Sequence, residues 1–435
     1  MVTATTTFRK VVRSPWGHTL AAYGTSQGVL AAGAFARIPL LVSAVAVSGY
    51  GSIVAFSGLC VIVIAVADGL AQTSRVMVAE RATPNYGRYN RLLNLARSLS
   101  VAIFLLFVIL AIIAACYSPD LDNPWVAAFC CLAFSSTSLL GGPAKGLLEA
   151  TGKTAQVHLL QTSTTLIGLP LLLAALALSK SLVVASAVTG LGLALPYLCY
   201  LVVAQRILRS KDVRVRKDFY LFSQARRVKE IKPVLNMTVW TWANSLNYAF
   251  DAAIVGVVAG ATAAGEFGLA SRVMTLAMLL SLALSPLITA RVSSWRTERN
   301  YSYLIKKVTR LTFVITVASL ILSATSVAVG PWLEGVLSQH KIASPFTLYA
   351  ALAVFATASA STAPLMALFA GVGGARFRAR AAAALAIVNI TLSILFTILW
   401  GPPGPVFAST LTLFVLAGVL VMKLRSNPSL IMERY

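Results

Sequence analysis

Three charged residues lie inside long apolar stretches of this chain: Arg37, Asp251 and Arg272. A charge at the centre of a membrane-spanning helix costs about 2.5–3.5 kcal/mol on insertion scales, so each needs a partner or a function. Arginine keeps its charge in such surroundings, and its planar guanidinium matches the oxygens of a phosphate. Two arginines in one cavity would therefore bind an anionic substrate. The alternative is an ion pair between Arg272 and Asp251 that only holds two helices together.

Polar residues recur at helical spacing on the same stretches. Because lipid cannot hydrogen-bond to them, they must face other helices or a water-filled cavity. We interpret them as the lining of a substrate cavity, although hydrogen bonds that only join neighbouring helices would give the same pattern. The predicted substrate-binding residues are Arg37, Arg272, Gln27, Tyr23, Asn244 and Tyr248.

Asp251 supports a second hypothesis. Together with Asn389 and Ser393 it offers oxygen ligands to a monovalent cation, or it carries a proton. No cofactor is expected, and a Na+ gradient, an H+ gradient or the membrane potential would drive the protein. Asp68 lies near the end of its apolar stretch, close to Arg75, and predicts a helix-end salt bridge rather than a transport role.

The sequence gives little support to an enzyme. Its three histidines and five cysteines lack the spacing of metal ligands, so no metal site is predicted. It has neither a Walker loop nor a Ser/His/Asp constellation. The loops predicted on the outside are short, and even the longest of them, 331–344, leaves no room for a catalytic domain.

The elements that carry these residues are predicted to be membrane-spanning helices. Of the 435 residues, 58% are hydrophobic and 11% are charged, and the mean hydropathy of +0.82 does not fit a water-soluble domain. A helix needs about 20 mostly apolar residues to span a bilayer. Twelve spans are predicted, at 19–46, 49–72, 98–117, 124–148, 155–178, 182–207, 234–259, 265–290, 308–330, 345–371, 377–400 and 404–423. The predicted fold class is an all-α polytopic membrane protein.

The net charge of +23 follows the positive-inside rule. The loops predicted to lie outside contain only Lys180 and Lys341, whereas ten basic residues lie between Arg206 and Lys232 alone. This asymmetry predicts a multi-pass protein of the bacterial cytoplasmic membrane with both termini in the cytoplasm. It also accounts for the basic excess without a nucleic-acid partner.

The chain is predicted to divide into two halves of six spans each. An N-terminal lobe covers 1–208, a basic cytoplasmic linker covers 209–233, and a C-terminal lobe covers 234–435. An even number of spans per half makes the two lobes parallel. Weak repeats support this division, since the motif at 48–51 opens the second span much as the motif at 264–268 opens the eighth. The linker is either an interfacial amphipathic helix or a solvated segment.

Several short motifs resemble those of the MOP flippase superfamily. The sequence Ser-Gly-Tyr-Gly at 48–51 leads to Asp-Gly-Leu at 68–70, and Phe-Gly-Leu-Ala-Ser-Arg at 267–272 leads to Ser-Pro-Leu at 285–287. The stretch 89–97 and the turn at Gly152 resemble the family as well. Within the superfamily, the chain is more similar to the Wzx-like polysaccharide or O-antigen exporters than to the MATE drug antiporters. Many of those antiporters carry an acidic residue in span one, where this chain has Arg37.

The resemblance implies a flippase that moves a polyprenyl-pyrophosphate-linked oligosaccharide to the outer leaflet by alternating access. Arg37 and Arg272 would clamp the pyrophosphate, while Asp251 and Asn389 fall on helices that bind a cation in some members. The expected partners are this lipid-linked oligosaccharide, membrane lipids and polysaccharide assembly proteins. The alternatives are a cation-coupled, MATE-like exporter of small molecules, a non-transporting membrane scaffold and an acyl-sugar enzyme.

Overall fold

The computed structural model describes residues 15–79, 86–117, 123–210, 238–239, 241, 250–278, 301–371 and 375–426. Every regular element in these ranges is an α-helix, which confirms the predicted fold class. The helices are α1 (Pro15–Ala79), α2 (Tyr86–Tyr117), α3 (Pro124–Ser136), α4 (Ser138–Ala150), α5 (Thr154–Leu178), α6 (Leu182–Ser210), α7 (Asp251–Val258), α8 (261–278), α9 (Tyr301–Ser338), α10 (Phe346–Gly371), α11 (Ala375–Trp400) and α12 (Gly404–Ser426).

Helix α1 is bent into two limbs. The backbone leaves the helical conformation at Val45 (φ −120°, ψ 15°) and at Ala46 (φ 57°, ψ −179°). The two spans predicted at 19–46 and 49–72 are therefore joined by a sharp bend rather than by a loop. We call the part before the bend the first limb and the part after it the second limb.

Nine helical segments within the described residues are long and apolar enough to cross a membrane. The first of them, 24–75, contains the bend and overlaps both of the first two predicted spans, and each of the others overlaps one predicted span. The predicted spans 234–259 and 265–290 lie partly outside the described residues, as does most of the linker 209–233. The parallel lobes and the cytoplasmic termini stay predictions.

The outer faces of α2 and α9 suit lipid rather than water. Leu105 and Ile109 of α2 are 52% and 54% exposed, and Phe313 and Ile321 of α9 are 70% and 61% exposed. Soluble monomers rarely present contiguous apolar surfaces of this kind, because such surfaces promote association in water. These faces are consistent with helices that are surrounded by acyl chains.

The prediction of an outside loop at 331–344 is wrong for the first part of that segment. Helix α9 continues through Pro331 to Ser338. Glu334, which lies in this segment, is 1% exposed. Its carboxylate accepts hydrogen bonds from the Tyr349 hydroxyl (2.8 Å), from the Ser344 backbone N–H (3.1 Å) and from the Ser344 hydroxyl. These bonds satisfy the carboxylate inside the protein and fasten the last turns of α9 to α10.

The second limb of α1 packs closely against α7 and α8. Gly51 lies so near the first residue of α8 that a Cβ atom placed on it would be 1.7 Å from the carbonyl oxygen of Ala261. A Cβ atom placed on Gly256 of α7 would be 2.6 Å from the Cβ atom of Ala55. We call the contact formed by Gly51, Ala55, Gly256 and Ala261 the glycine seam. Only residues without bulky side chains allow the helices to approach this closely.

Candidate functional site

A cavity of about 440 Å³ lies between the two limbs of α1 and helices α5 and α6, and α4 and α8 each contribute one side chain to it. Its volume falls within the range of about 300–1,000 Å³ that is typical of small-molecule pockets. Most of the wall is apolar, and polar residues gather at two places. Arg37, Tyr50 and Arg272 form one group, and Asp68, Lys145 and Tyr197 are at the centre of the other.

Arg37 enters the cavity from the first limb of α1, and its guanidinium lies beside two glycines. A Cβ atom on Gly168 of α5 would be 2.8 Å from Nη2 of Arg37, and one on Gly192 of α6 would be 3.9 Å from Nη1. The guanidinium therefore occupies space that side chains on α5 and α6 would otherwise restrict. Its Nε atom is buried and has no hydrogen-bond partner among the described residues.

Arg272 reaches the same part of the cavity from α8. The positive charges of Arg272 and Arg37 are close enough to act on each other, and both residues line the cavity together with Tyr50. Like charges in surroundings of low dielectric repel, so an anion bound between them would be stabilised by both. The two arginines that the sequence predicted as a pair are thus brought together. Arg272 and Asp251, which are both described, form no ion pair.

The second polar group surrounds a salt bridge between α1 and α4. Lys145 Nζ lies 2.8 Å from Asp68 Oδ1, and the Tyr197 hydroxyl donates to the same oxygen at 2.7 Å. The predicted salt bridge at Asp68 is therefore present. Its partner lies on another helix, because Arg75 pairs instead with Glu149 at 3.6 Å.

Lys145 and Tyr197 were not predicted, because a lysine near the end of a span is typical of the basic residues that flank the cytoplasmic ends of membrane helices. A signal was present in the glycines of α4. A Cβ atom on Gly142 would be 2.5 Å from the carbonyl oxygen of Ala67 in α1. This close approach brings the following turn of α4, with Lys145, against Asp68.

The remaining predicted substrate-binding residues are not placed in the cavity. Gln27 belongs to α1 but is not among the residues that line the cavity. For Tyr23 the structure describes only a position in the first limb of α1. Asn244 and Tyr248 lie outside the described residues.

Asp251 occupies a separate, buried site at the start of α7. Its carboxylate accepts a hydrogen bond from Ser409 (2.9 Å) and lies 3.5 Å from the hydroxyl of Ser393. Asn389 contacts the hydroxyls of Ser409 (3.3 Å) and Thr412 (3.2 Å). The structure thus brings together Asp251, Asn389 and Ser393, as the sequence predicted. All five residues are less than 5% exposed.

This buried site contains a carboxylate, an amide oxygen and three hydroxyls. Such oxygen atoms are the ligands that hard cations prefer, and within the described part of the chain no basic side chain neutralises Asp251. Ser409 and Thr412 of α12 were not predicted. The signal for them was the group Ser409, Thr410 and Thr412 in an otherwise apolar helix.

Comparison with solved structures identifies the fold. The chain is similar to an inward-facing MATE-family multidrug-resistance transporter of the MOP superfamily (TM-score 0.63, 16% identity, 91% of this chain and 95% of that one). It is similar to a MOP-superfamily transporter from Pyrococcus furiosus with a binding pocket of reverse polarity (TM-score 0.67, 16% identity, 98% of each chain). It is also similar to the lipid II flippase MurJ in an inward closed conformation (TM-score 0.60, 14% identity, 93% of this chain and 87% of that one).

The sequence matches no protein-family model and no curated protein. At these identities the structural likeness establishes the fold alone. The chain has the fold of MOP-superfamily transporters, which confirms that part of the predicted resemblance, and these neighbours are transporters and flippases rather than enzymes. The Wzx-like branch stays a prediction.

Proposed function

We propose that this protein is a flippase that moves a polyprenyl-pyrophosphate-linked oligosaccharide across the membrane by alternating access. The observation that carries the proposal is the pairing of Arg37 and Arg272 in one cavity. Within the described residues neither Arg37 nor Arg272 forms an ion pair, so a mostly apolar cavity with both guanidinium groups favours a ligand with two negative charges, and a pyrophosphate offers them to both arginines. One of the structural neighbours, MurJ, is itself named as a lipid II flippase.

The test is translocation of a fluorescent lipid-linked oligosaccharide in proteoliposomes, read out by a membrane-impermeant quencher. We expect Arg37→Ala and Arg272→Ala each to abolish translocation, because each removes one half of the anion site. Arg75→Ala is the control, since Arg75 is 52% exposed and is not among the cavity-lining residues. Normal translocation by both cavity variants, with the control also active, would overturn the pyrophosphate clamp.

We further propose that the buried site around Asp251 couples transport to a cation or a proton. Asp251 receives hydrogen bonds only from hydroxyl groups among the described residues. A buried carboxylate without a positive partner is costly, so either a bound cation or a proton would stabilise it. We expect Asp251→Asn to remove the dependence of translocation on an imposed gradient, and separate Na+ and H+ gradients identify the coupling ion. A variant that responds to both gradients like wild type would exclude this role.

A cation-coupled exporter of small molecules is the second candidate. The observation that favours it is the same Asp251 site, together with the likeness to multidrug MATE transporters. The two functions differ in the charge of the substrate. Arg37 and Arg272 repel cationic drugs. The second candidate would be favoured if Arg37→Ala enhanced drug export and if the wild-type protein did not flip the lipid-linked oligosaccharide.

A further inference from the structure

The salt bridge between Asp68 and Lys145 lies in the wall of the cavity with part of its surface uncovered. The side chains of Asp68 and Lys145 are 31% and 25% exposed, and both residues line the cavity. Oδ1 of Asp68 accepts from Lys145 and from Tyr197. Within the described ranges, Oδ2 of Asp68 accepts no hydrogen bond, and Lys145 donates only to Asp68. An acceptor and spare ammonium donors are therefore available side by side.

The salt bridge between Asp68 and Lys145 lies in a different part of the cavity from Arg37 and Arg272. Gly192 lies beside the guanidinium of Arg37, and Tyr197 follows Gly192 by five residues on α6, which corresponds to about 8 Å along the helix. On α5, Gly168 contacts Arg37, and Gln161 precedes Gly168 by seven residues, or about 10 Å. Gln161 and Tyr197 both line the cavity on the side of the salt bridge.

The charges of Asp68 and Lys145 cancel, so the net positive charge of the cavity belongs to Arg37 and Arg272. An anionic group is attracted to the arginines, whereas the salt bridge offers hydrogen bonds without net charge. A neutral group with adjacent donors and acceptors, such as the vicinal hydroxyls or the acetamido group of a sugar, matches a carboxylate oxygen next to an ammonium. Hydrogen bonds to charged groups are also among the stronger ones.

We propose that Asp68, Lys145 and Gln161 form a sugar subsite that binds the first monosaccharide attached to the pyrophosphate. This inference rests on the proposed flippase function and extends it to the glycan. The separation of about 8–10 Å along α5 and α6 between the two polar groups leaves room for one sugar ring next to a pyrophosphate. The volume of about 440 Å³ fits such a head group, and the prenyl chain and the remaining sugars extend beyond the cavity.

The test compares two probes for binding to the purified, detergent-solubilised full chain by microscale thermophoresis. One probe is farnesyl pyrophosphate, and the other is the same lipid carrying one N-acetylglucosamine on its terminal phosphate. The variant Asp68→Leu/Lys145→Met removes the hydrogen-bonding groups together and so leaves no unpaired charge. The matched control is Arg75→Met/Glu149→Leu, which removes a second salt bridge between α1 and α4 that lies outside the cavity.

We expect the cavity variant to lose affinity for the sugar-bearing probe by about tenfold or more. Its affinity for farnesyl pyrophosphate should stay unchanged, and the control should bind both probes like wild type. An equal loss for the two probes would make Lys145 a phosphate ligand or a structural residue, and it would overturn the subsite. Unchanged binding of the sugar-bearing probe would overturn it as well.

Gln161→Leu is the second variant and decides the question if the double variant does not fold. It removes a neutral amide and disturbs no ion pair, so we expect a smaller loss that is still confined to the sugar-bearing probe. Equal binding of both probes to Gln161→Leu and to wild type would then overturn the subsite. If wild type binds neither probe, the proposed flippase function fails together with the subsite. If it binds both but neither variant discriminates, the subsite alone fails.

Discussion

The position of Arg37 depends on the absence of a side chain at Gly168, and a single methyl group tests this dependence. In Gly168→Ala the new Cβ atom would lie 2.8 Å from Nη2 of Arg37. Ordinary contact between such atoms needs about 3.5 Å, so the guanidinium must move by about 0.7 Å or more. Arginine is flexible, so we expect the side chain to move while α5 keeps its place.

We expect Gly168→Ala to weaken anion binding without lowering the stability of the fold. Replacing glycine by alanine inside a helix is ordinarily favourable by up to about 1 kcal/mol, so we expect no loss of thermal stability. A displaced guanidinium loses the geometry of a charged hydrogen bond that contributes about 1.5–3 kcal/mol. At 1.4 kcal/mol per factor of ten, we expect the affinity for an anion to fall by about tenfold or more.

The assay measures the affinity for farnesyl pyrophosphate and the unfolding midpoint in the same detergent. Gly192→Ala is an internal control, because its Cβ atom would meet Arg37 at 3.9 Å, an ordinary contact. Gly418→Ala in α12 controls for helix propensity, since nothing lies within 4 Å of its new Cβ atom. Wild-type affinity in Gly168→Ala would refute the idea that Arg37 binds the anion from the place these glycines define.

Three further substitutions test contacts between helices, each by thermal unfolding of the purified protein. Gly51→Ala places a Cβ atom 1.7 Å from the backbone oxygen of Ala261, so the glycine seam must open and we expect the unfolding midpoint to fall. An unchanged midpoint would contradict the close packing. Glu334→Leu leaves the buried donors around that carboxylate without an acceptor and should cost about 1–3 kcal/mol, and a neutral effect would show that water replaces it. Lys145→Met leaves Asp68 without its basic partner and should lower the unfolding midpoint more than the double change Asp68→Leu/Lys145→Met does. Additive losses would argue against coupling of the pair.

The positions of the helices were predictable, because hydropathy depends on the sequence of each span alone. The bend at Val45 and Ala46 lies where the prediction separates the first two spans. The pairing of helices was less accessible, since it depends on contacts between residues far apart in the chain. The motifs at 48–51 and 264–268 were recognised as weak repeats, but the sequence did not indicate that Gly51 packs directly against the start of α8.

The candidate sites were predictable where a charge stood out from apolar surroundings. Arg37, Arg272 and Asp251 were found for this reason, because an isolated charge in a span needs an explanation. Lys145 was missed because it lies near a helix end, where basic residues are common and carry topological information. Ser409 was missed because a hydroxyl in a membrane helix usually bonds to its own backbone, and only the packing of α12 against α7 brings it to Asp251.

Arg37 and Arg272, the proposed anion ligands, lie on two of the helices that form the glycine seam, and this would give the proposed alternating access a physical basis. Arg37 is on α1 and Arg272 is on α8, seven residues or about 10 Å beyond Gly265 in the seam region. If the two limbs of α1 move together, a rotation of α8 that opens the seam changes the distance between the two guanidinium groups. An anion held by both arginines favours the arrangement in which they are close, and its release favours the other.

Helix α7 connects the buried carboxylate site to the same movement. Asp251 and Gly256, which lies in the seam against Ala55, are five residues apart on this helix. Because five residues span about 8 Å of one helix, a cation or proton that repositions Asp251 against Ser409 would also shift Gly256. A ligand can change a conformational equilibrium only by its difference in affinity for the two states. We therefore expect occupancy at Asp251 and anion binding at the arginines to influence each other through the seam, by equal factors in both directions.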